Sequence, residues 1–256
     1  LDRERQAMFF AALGKLRRGC LVCVFDATDR IQHMFWRYLE PGHPAARAAG
    51  ANGHAGAIED IYTRNDALVG RVLEKLRGGD VLMVLSDHGF TSFRRGVNVN
   101  GWLRENGYLA LKEGAAGTGE WFADVDWSRT RAYALGLSGL YLNLAGREAQ
   151  GIVSPGAEAA ALKAELMAKL GGLRDEEKGE VAINELFDTS SIYHGPYMAN
   201  APDLIVGYNA GYRVGWDCAT GMVAGPVFAD NDKAWSGDHC VDPRLVPGVF
   251  FCNRKI

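Results

Sequence analysis

The sequence has no apolar run approaching the ~20 residues that a membrane-spanning helix needs, which excludes a helical span. It has no excess of one charge either: 28 basic and 31 acidic residues give a formal net charge of −3. No basic stripe or like-charge block interrupts that balance, so binding along a nucleic-acid backbone has no electrostatic support. An anionic ligand would have to be held locally, by metal ions or a few placed cations. Five cysteines in 256 residues make no disulfide framework, and the odd count leaves at least one thiol unpaired within the chain. Internal repeats and low-complexity segments are missing. No secretory signal opens the chain, which begins at Leu1 rather than Met. A cytoplasmic setting is therefore the expectation, subject to any leader upstream of Leu1. Nothing in the sequence bears on the oligomeric state.

What is present fits one large α/β domain, or a core with a smaller lobe. Hydrophobic residues make up 48% of the chain, enough for a packed core without staples. The periodicity predicts a helix from Glu4 to Leu16, with Met8, Phe9, Ala12, Leu13 and Leu16 on one face. The Val-rich run Cys20 to Phe25 has strand length and no polar alternation, the pattern of a strand covered on both faces. Cys20 and Cys23 are spaced as C-x-x-C, but side chains three apart on a strand face opposite ways. Both are expected to be buried small apolar residues.

Asp26 to Asp29 reads as a turn, with Asp29 capping a helix that starts at Arg30. A second helix is predicted over 57–76, stopped by Gly78-Gly79, and Asp80 leads from it into an apolar strand over 81–85. Strand, helix, strand, with both strands apolar throughout, predicts a βαβ unit in a mostly parallel sheet flanked by helices. Beyond Phe90 the pattern loosens. It predicts a short helix over 102–106, a helix over 157–170, and strands over 108–111, 131–144 (two pieces), 203–206 and 246–251. The expected organisation is a core of residues 1–100 and 231–256, with 101–230 inserted as a smaller subdomain or cap.

Three short segments carry metal-ligand chemistry. Asp29 and His33 are four apart at a helix start, and residues four apart share one helical face. Asp87 and His88 follow the second apolar strand of the same unit, and open α/β sheets bind ligands beyond the carboxyl ends of their strands. His239 stands in the small polar string Ser236-Gly237-Asp238-His239, where the backbone can approach closely. Carboxylates and imidazoles in this mix suit zinc or manganese. An Asp at a helix start is most often only a cap, and a lone His nearby most often a core or solvated residue. The three segments together are far more specific than any one of them.

Asp26-Ala-Thr-Asp29-Arg-Ile-Gln-His33, Ser86-Asp87-His88-Gly89-Phe90 and Gly237-Asp238-His239 resemble, in order and spacing, the signatures of one family. It is the type I phosphodiesterase/nucleotide pyrophosphatase branch of the alkaline phosphatase superfamily. Tyr141 to Arg147 and Ala201-Pro-Asp203 resemble its bacterial members as well. The resemblance implies an alkaline phosphatase-like core, a small phosphoester substrate and two divalent metal ions, zinc foremost and manganese as the other choice. It places Asp29, His33 and His239 on one metal and Asp87 with His88 on the other. It also implies a further Asp ligand and a Thr or Ser nucleophile on an earlier strand, which would lie upstream of Leu1. On that expectation the chain turns over phosphodiesters more slowly than a longer form would. Phosphomutase or sulfatase chemistry, and a non-catalytic metal-binding role, stay open as alternatives.

Arg94 and Arg95, which follow the Asp-His pair closely, are candidates to receive a phosphate, and His194 is a candidate to touch substrate. His43 and His54 lie in a Gly/Ala/Pro-rich loop and are expected at the surface. Cys240, beside His239, is expected near the metal. Thr28 and Thr91 are the hydroxyls closest in sequence to candidate ligands.

Overall fold

The computed structural model describes residues 1–46 and 54–255. The N-terminal part is helical: α1 (Asp2–Lys15), α2 (Ala27–Phe35) and α3 (Ala57–Leu73), followed by β1 (Met83–Leu85), β2 (Thr91–Val97) and α4 (Val99–Glu105). The middle holds β3 (Ala132–Leu135), β4 (Gly139–Leu142), α5 (Ala157–Leu170), β5 (Arg174–Asp175), β6 (Glu180–Val181), β7 (Ile183–Asp188), α6 (Thr189–Ile192), β8 (Leu204–Tyr208) and β9 (Gly211–Val214). After α7 (Trp216–Ala219) come β10 (Phe228–Asp230), β11 (Gly237–Asp238) and β12 (Phe250–Cys252).

The fold is mixed α/β, but the sheets are mainly antiparallel, which corrects the expectation of a mostly parallel sheet. The strand orders are β1-β12, β10-β2-β11 with β9 also on β2, β3-β4-β8-β7, and β5-β6. Among the described residues only β2 and β9 run parallel. The reason lies in the connections. A parallel neighbour needs a crossover, whereas a short turn can only return the chain antiparallel. Between β3 and β4 the turn is three residues long and opens on Gly136 at φ +72°.

The run Cys20 to Phe25 has no regular secondary structure and joins no sheet, so the predicted βαβ unit is not formed among the described residues. Val22 and Val24 are 79% and 73% exposed. Cys20 is exposed and Cys23 half-buried, not the buried pair expected. β-branched residues favour an extended backbone, but only a neighbour's N–H and C=O groups complete a strand. Here the Val24 carbonyl accepts from the Arg5 guanidinium instead. Helix α2 begins three residues earlier than predicted. Asp26 is its N-cap residue, ion-paired with Arg5 and with Arg30 (3.0 Å). That moves Asp29 from the cap into the first turn, with its carboxylate free of a capping bond.

The main apolar cluster runs from Val97 to Val223 and is built on β3, β4, β7 and β8. Leu162, Leu166 and Leu170, at i, i+4 and i+8 of α5, are all buried in it, as a one-faced helix requires. Tyr141 to Arg147 and Ala201 to Asp203 meet there: the Arg147 guanidinium pairs with Asp203 at 2.7 Å, and Asp203 also accepts the Leu142 N–H.

His43 is buried rather than at the surface. Ala45 N–H donates to its Nδ1 (3.0 Å), so Nε2 carries the proton and donates to the Phe93 carbonyl (2.9 Å). Burial holds its pKa below the usual 6.5. It ties the loop to β2. His54 is exposed, as expected, at the edges of Phe35 and Tyr38.

Candidate metal centre

Helix α2 presents Asp29 and His33 on one face, one turn apart. The Nδ1–H of His33 donates to the Gly237 carbonyl at 2.7 Å. A carbonyl only accepts, so the proton is fixed on Nδ1 and the Nε2 lone pair is left facing Asp29 Oδ1 at 3.5 Å. The His33 ring stacks on Trp235 (centroids 3.8 Å apart, 30° between planes) and meets the Phe90 ring edge-on at 4.7 Å.

Strand β11 is fastened along α2. Ser236 N–H donates to the His33 carbonyl (2.7 Å) and Ser236 Oγ accepts the Arg37 N–H (3.0 Å). The approach is so close that only glycine fits at position 237: a Cβ there would stand 2.5 Å from the Gln32 carbonyl oxygen and 3.0 Å from Trp36 Cβ. We expect Gly237→Ala to push β11 off α2 and stretch the His33 bond. Overpacking of this kind costs about 1–3 kcal/mol, a fall of about 2–12 °C in melting temperature for a chain this size. Thermal unfolding by circular dichroism checks it, and an unchanged midpoint would show that the contact is soft.

His239 follows directly on β11. Its Nε2 lies 3.6 Å from Asp29 Oδ1, and one ligand atom each of Asp29, His33 and His239 falls within 4.8 Å of the others. Burial, then the adjacent His88, lowers the His239 pKa from 6.5, which favours the neutral imidazole. Asp238 beside it is buried. Burial opposes its charge, but the Arg213 guanidinium, the Cys240 N–H and the Trp235 N–H outweigh that and hold the carboxyl below its usual range. Cys240 Sγ lies 4.0 Å from His239 Nδ1; burial and then Asp238 push its pKa up to about 12.

Asp87 and His88 sit in the turn after β1. The C-terminal segment clamps this turn, with Gly89 N–H on the Val246 carbonyl (2.8 Å) and Ser86 N–H on the Val249 carbonyl (3.0 Å). His88 donates from Nδ1 to the Gly89 carbonyl (2.9 Å) and stacks on His239 with centroids 3.6 Å apart and 17° between planes. Its Nε2 is 3.6 Å from Asp87 Oδ1, and the Asp87 side chain is 90% exposed. Four of the five candidate ligands thus share one aromatic nest, and Asp87 hangs at its rim. Among the described residues neither Asp87 nor His88 belongs to a three-ligand group.

The remaining candidates are placed as follows. Arg95 is buried, and each of its three nitrogens donates to a carboxylate: Nε to Asp175 (2.7 Å), Nη1 to Asp230 (2.8 Å) and Nη2 to Glu177 (2.7 Å). Each nitrogen is thus committed to a carboxylate, and the buried group, ringed by three acids, is poorly placed to receive a phosphate. Arg94 is half-exposed between Glu40 (3.5 Å) and Glu180 (3.7 Å). His194 is exposed after α6, with no hydrogen bond or ring contact to the cluster among the described residues. Thr28 lies in the first turn of α2 and Thr91 opens β2; among the described residues neither hydroxyl bonds to a candidate ligand. Sequence reasoning named Phe90 only as part of a signature, without a role, and passed over Trp235 and Arg213. An aromatic residue two positions after an Asp-His pair and another four before a late His were the signals available for the first two. No signal marked Arg213.

Residues 2–219 match the family model of type I phosphodiesterase / nucleotide pyrophosphatase. The matched span includes Asp29, His33, Asp87 and His88 and ends before His239. No curated protein matches the chain.

Proposed function

Because the chain belongs to the type I phosphodiesterase / nucleotide pyrophosphatase family, we propose that it is a metal-dependent hydrolase of phosphodiester or pyrophosphate bonds. The observation that carries this reading is the convergence of Asp29, His33 and His239. One carboxylate and two imidazoles are the donor set of a catalytic zinc site with an open position, and the fixed tautomer of His33 leaves the correct nitrogen free. The residues therefore fit a divalent cation, zinc before manganese. When bound, such a cation supplies Lewis acidity toward a phosphoryl oxygen.

The chain's own groups do the rest of the work we assign to it. Asp29 brings one negative charge and the imidazoles none, so the centre stays net positive toward an anionic phosphoester. The Gly237 carbonyl keeps the His33 proton on Nδ1, away from the ligand side. Trp235 and Phe90 wall the imidazoles with apolar rings and exclude water from that side. Asp87 and His88 are the proposed start of a second metal position, and no nucleophile is assigned to a residue of the chain.

The exposure of the Asp87 carboxylate favours a second reading, a one-metal binding domain without turnover. Zinc-loaded protein assayed on bis(nitrophenyl) phosphate, nitrophenyl phosphate and nitrophenyl sulfate separates the two. We expect one tightly held zinc per chain and metal-dependent hydrolysis of the diester that Asp29→Ala abolishes. Bound zinc with no turnover of any ester would establish the second reading. Preference for the sulfate would overturn the assigned bond type.

A further inference from the structure

We propose that Asp238 is the positioning residue of this centre, orienting two of its three ligands from one buried carboxylate. The inference rests on the Asp29–His33–His239 reading and goes beyond it. Asp238 is 1% exposed, and a charge taken that far out of water persists only when its oxygens are fully engaged. They are. Oδ1 accepts the N–H groups of His239 (2.8 Å) and Cys240 (2.9 Å), and Oδ2 accepts the indole N–H of Trp235 (2.8 Å). Arg213 supplies the countercharge, its Nε 2.8 Å from Oδ2 in an ion pair that lacks hydrogen-bond alignment. That guanidinium is itself held over Trp216 (4.4 Å) and Phe93 (5.0 Å).

One bond to Asp238 comes from a ligand, the His239 N–H, and the Cys240 and Trp235 bonds come from residues that flank or stack on the ligands. The two consecutive N–H bonds fold the chain around the carboxylate as it leaves β11, and that turn sets the direction in which His239 departs. The indole bond pins one end of Trp235, whose face lies 3.8 Å from the His33 ring. The carboxylate thus acts on His239 through the backbone and on His33 through a stacked ring. Partners that orient metal ligands in this way typically change metal affinity about 10- to 100-fold when removed. Asparagine at 238 would keep an acceptor for the backbone N–H groups. It would present an NH2 group to the indole N–H and lose the charge that faces Arg213.

The test compares wild type, Asp238→Asn, Trp235→Phe and Arg95→Met by competition for zinc against a chromophoric chelator, and by the visible spectrum of the cobalt-substituted proteins. Asp238→Asn is expected to weaken zinc binding about 10- to 100-fold and to alter the cobalt bands at saturation. Arg95→Met, destabilising but bonded neither to Asp238 nor to a candidate ligand, should change neither. If Asp238→Asn does not fold, Trp235→Phe carries the test. It keeps a ring and removes the N–H, and a loss of about tenfold with a shifted cobalt spectrum is expected. Zinc affinity and cobalt bands equal to wild type in the folded variant would overturn the role of Asp238 and leave the centre standing. A wild-type chain that binds neither metal would instead sink the centre, and this inference with it.

Discussion

His33→Ala is expected to weaken divalent-metal binding by more than about 100-fold, exceeding the loss from removing an orienting partner. His33 is buried, and its ring fills the space between Trp235 and Phe90. Alanine removes the ligand nitrogen and also leaves the Gly237 carbonyl without its donor. No other imidazole can replace it, because His88 is already stacked on His239 and tied to the Gly89 carbonyl. Chelator competition at pH 7 gives the affinity. His33→Gln, which restores a donor to Gly237 without an imidazole, separates packing from ligation: affinity should stay low while stability recovers. Wild-type affinity in either variant would remove His33 from the centre.

Arg95→Met is expected to cost about 3–5 kcal/mol, the range for breaking a buried ion pair by deleting one partner. In a chain of this size that is a fall in melting temperature of about 6–20 °C. Asp175 is the reason. It is as buried as Arg95 and would keep only the Tyr212 hydroxyl (3.3 Å) and the Glu177 N–H (3.2 Å) as partners. Asp230 and Glu177, both more exposed, add less. Hydrogen bonding to Arg95 holds the Asp230 carboxyl below its ordinary 3.8. A lowered carboxyl pKa contributes stability that is whole above pH 3.8 and drains away as the pH falls through the lowered folded value. The gap between wild type and Arg95→Met should therefore narrow in acid below that point. Urea unfolding at pH 7 and pH 3 measures both; a gap below about 1 kcal/mol at pH 7 would mean that Asp175 is rehydrated at little cost.

The helices were the most legible part of the sequence, because a helix satisfies its own backbone and its period is local. Helix α5 spans the predicted residues, and α3 begins where predicted and ends three residues early. Strand pairing was not legible. The runs at 20–25 and 81–85 have the composition of buried strands, yet one is unpaired and the other meets β12 with Met83, Leu85, Phe250 and Phe251 exposed. Composition records a preference for extension and is silent on which neighbour supplies the ladder. Strand β2 was missed because Arg94 and Arg95 in its middle read as surface. The carboxylates that neutralise Arg95 lie 80 to 135 positions away, at a distance no local pattern reaches. In the candidate metal centre, residue type and spacing pointed to three segments that the structure brings together. The aromatic rings and the Asp238–Arg213 pair that hold them became visible only in three dimensions.

The bond that fixes His33 joins residues 204 positions apart, and this separation orders events in time. Helix α2 can form early from local contacts, whereas β11 reaches it only after the whole intervening chain has condensed. Closing so long a loop carries an entropic cost that nearby contacts do not. The three candidate ligands are therefore expected to meet late in folding, so that an unfolded chain would offer a metal ion no assembled site. A bound ion acts on the reverse step. If it holds His33 and His239 together as proposed, it would slow the parting of β11 from α2, and would lengthen the life of the native state more than it speeds folding.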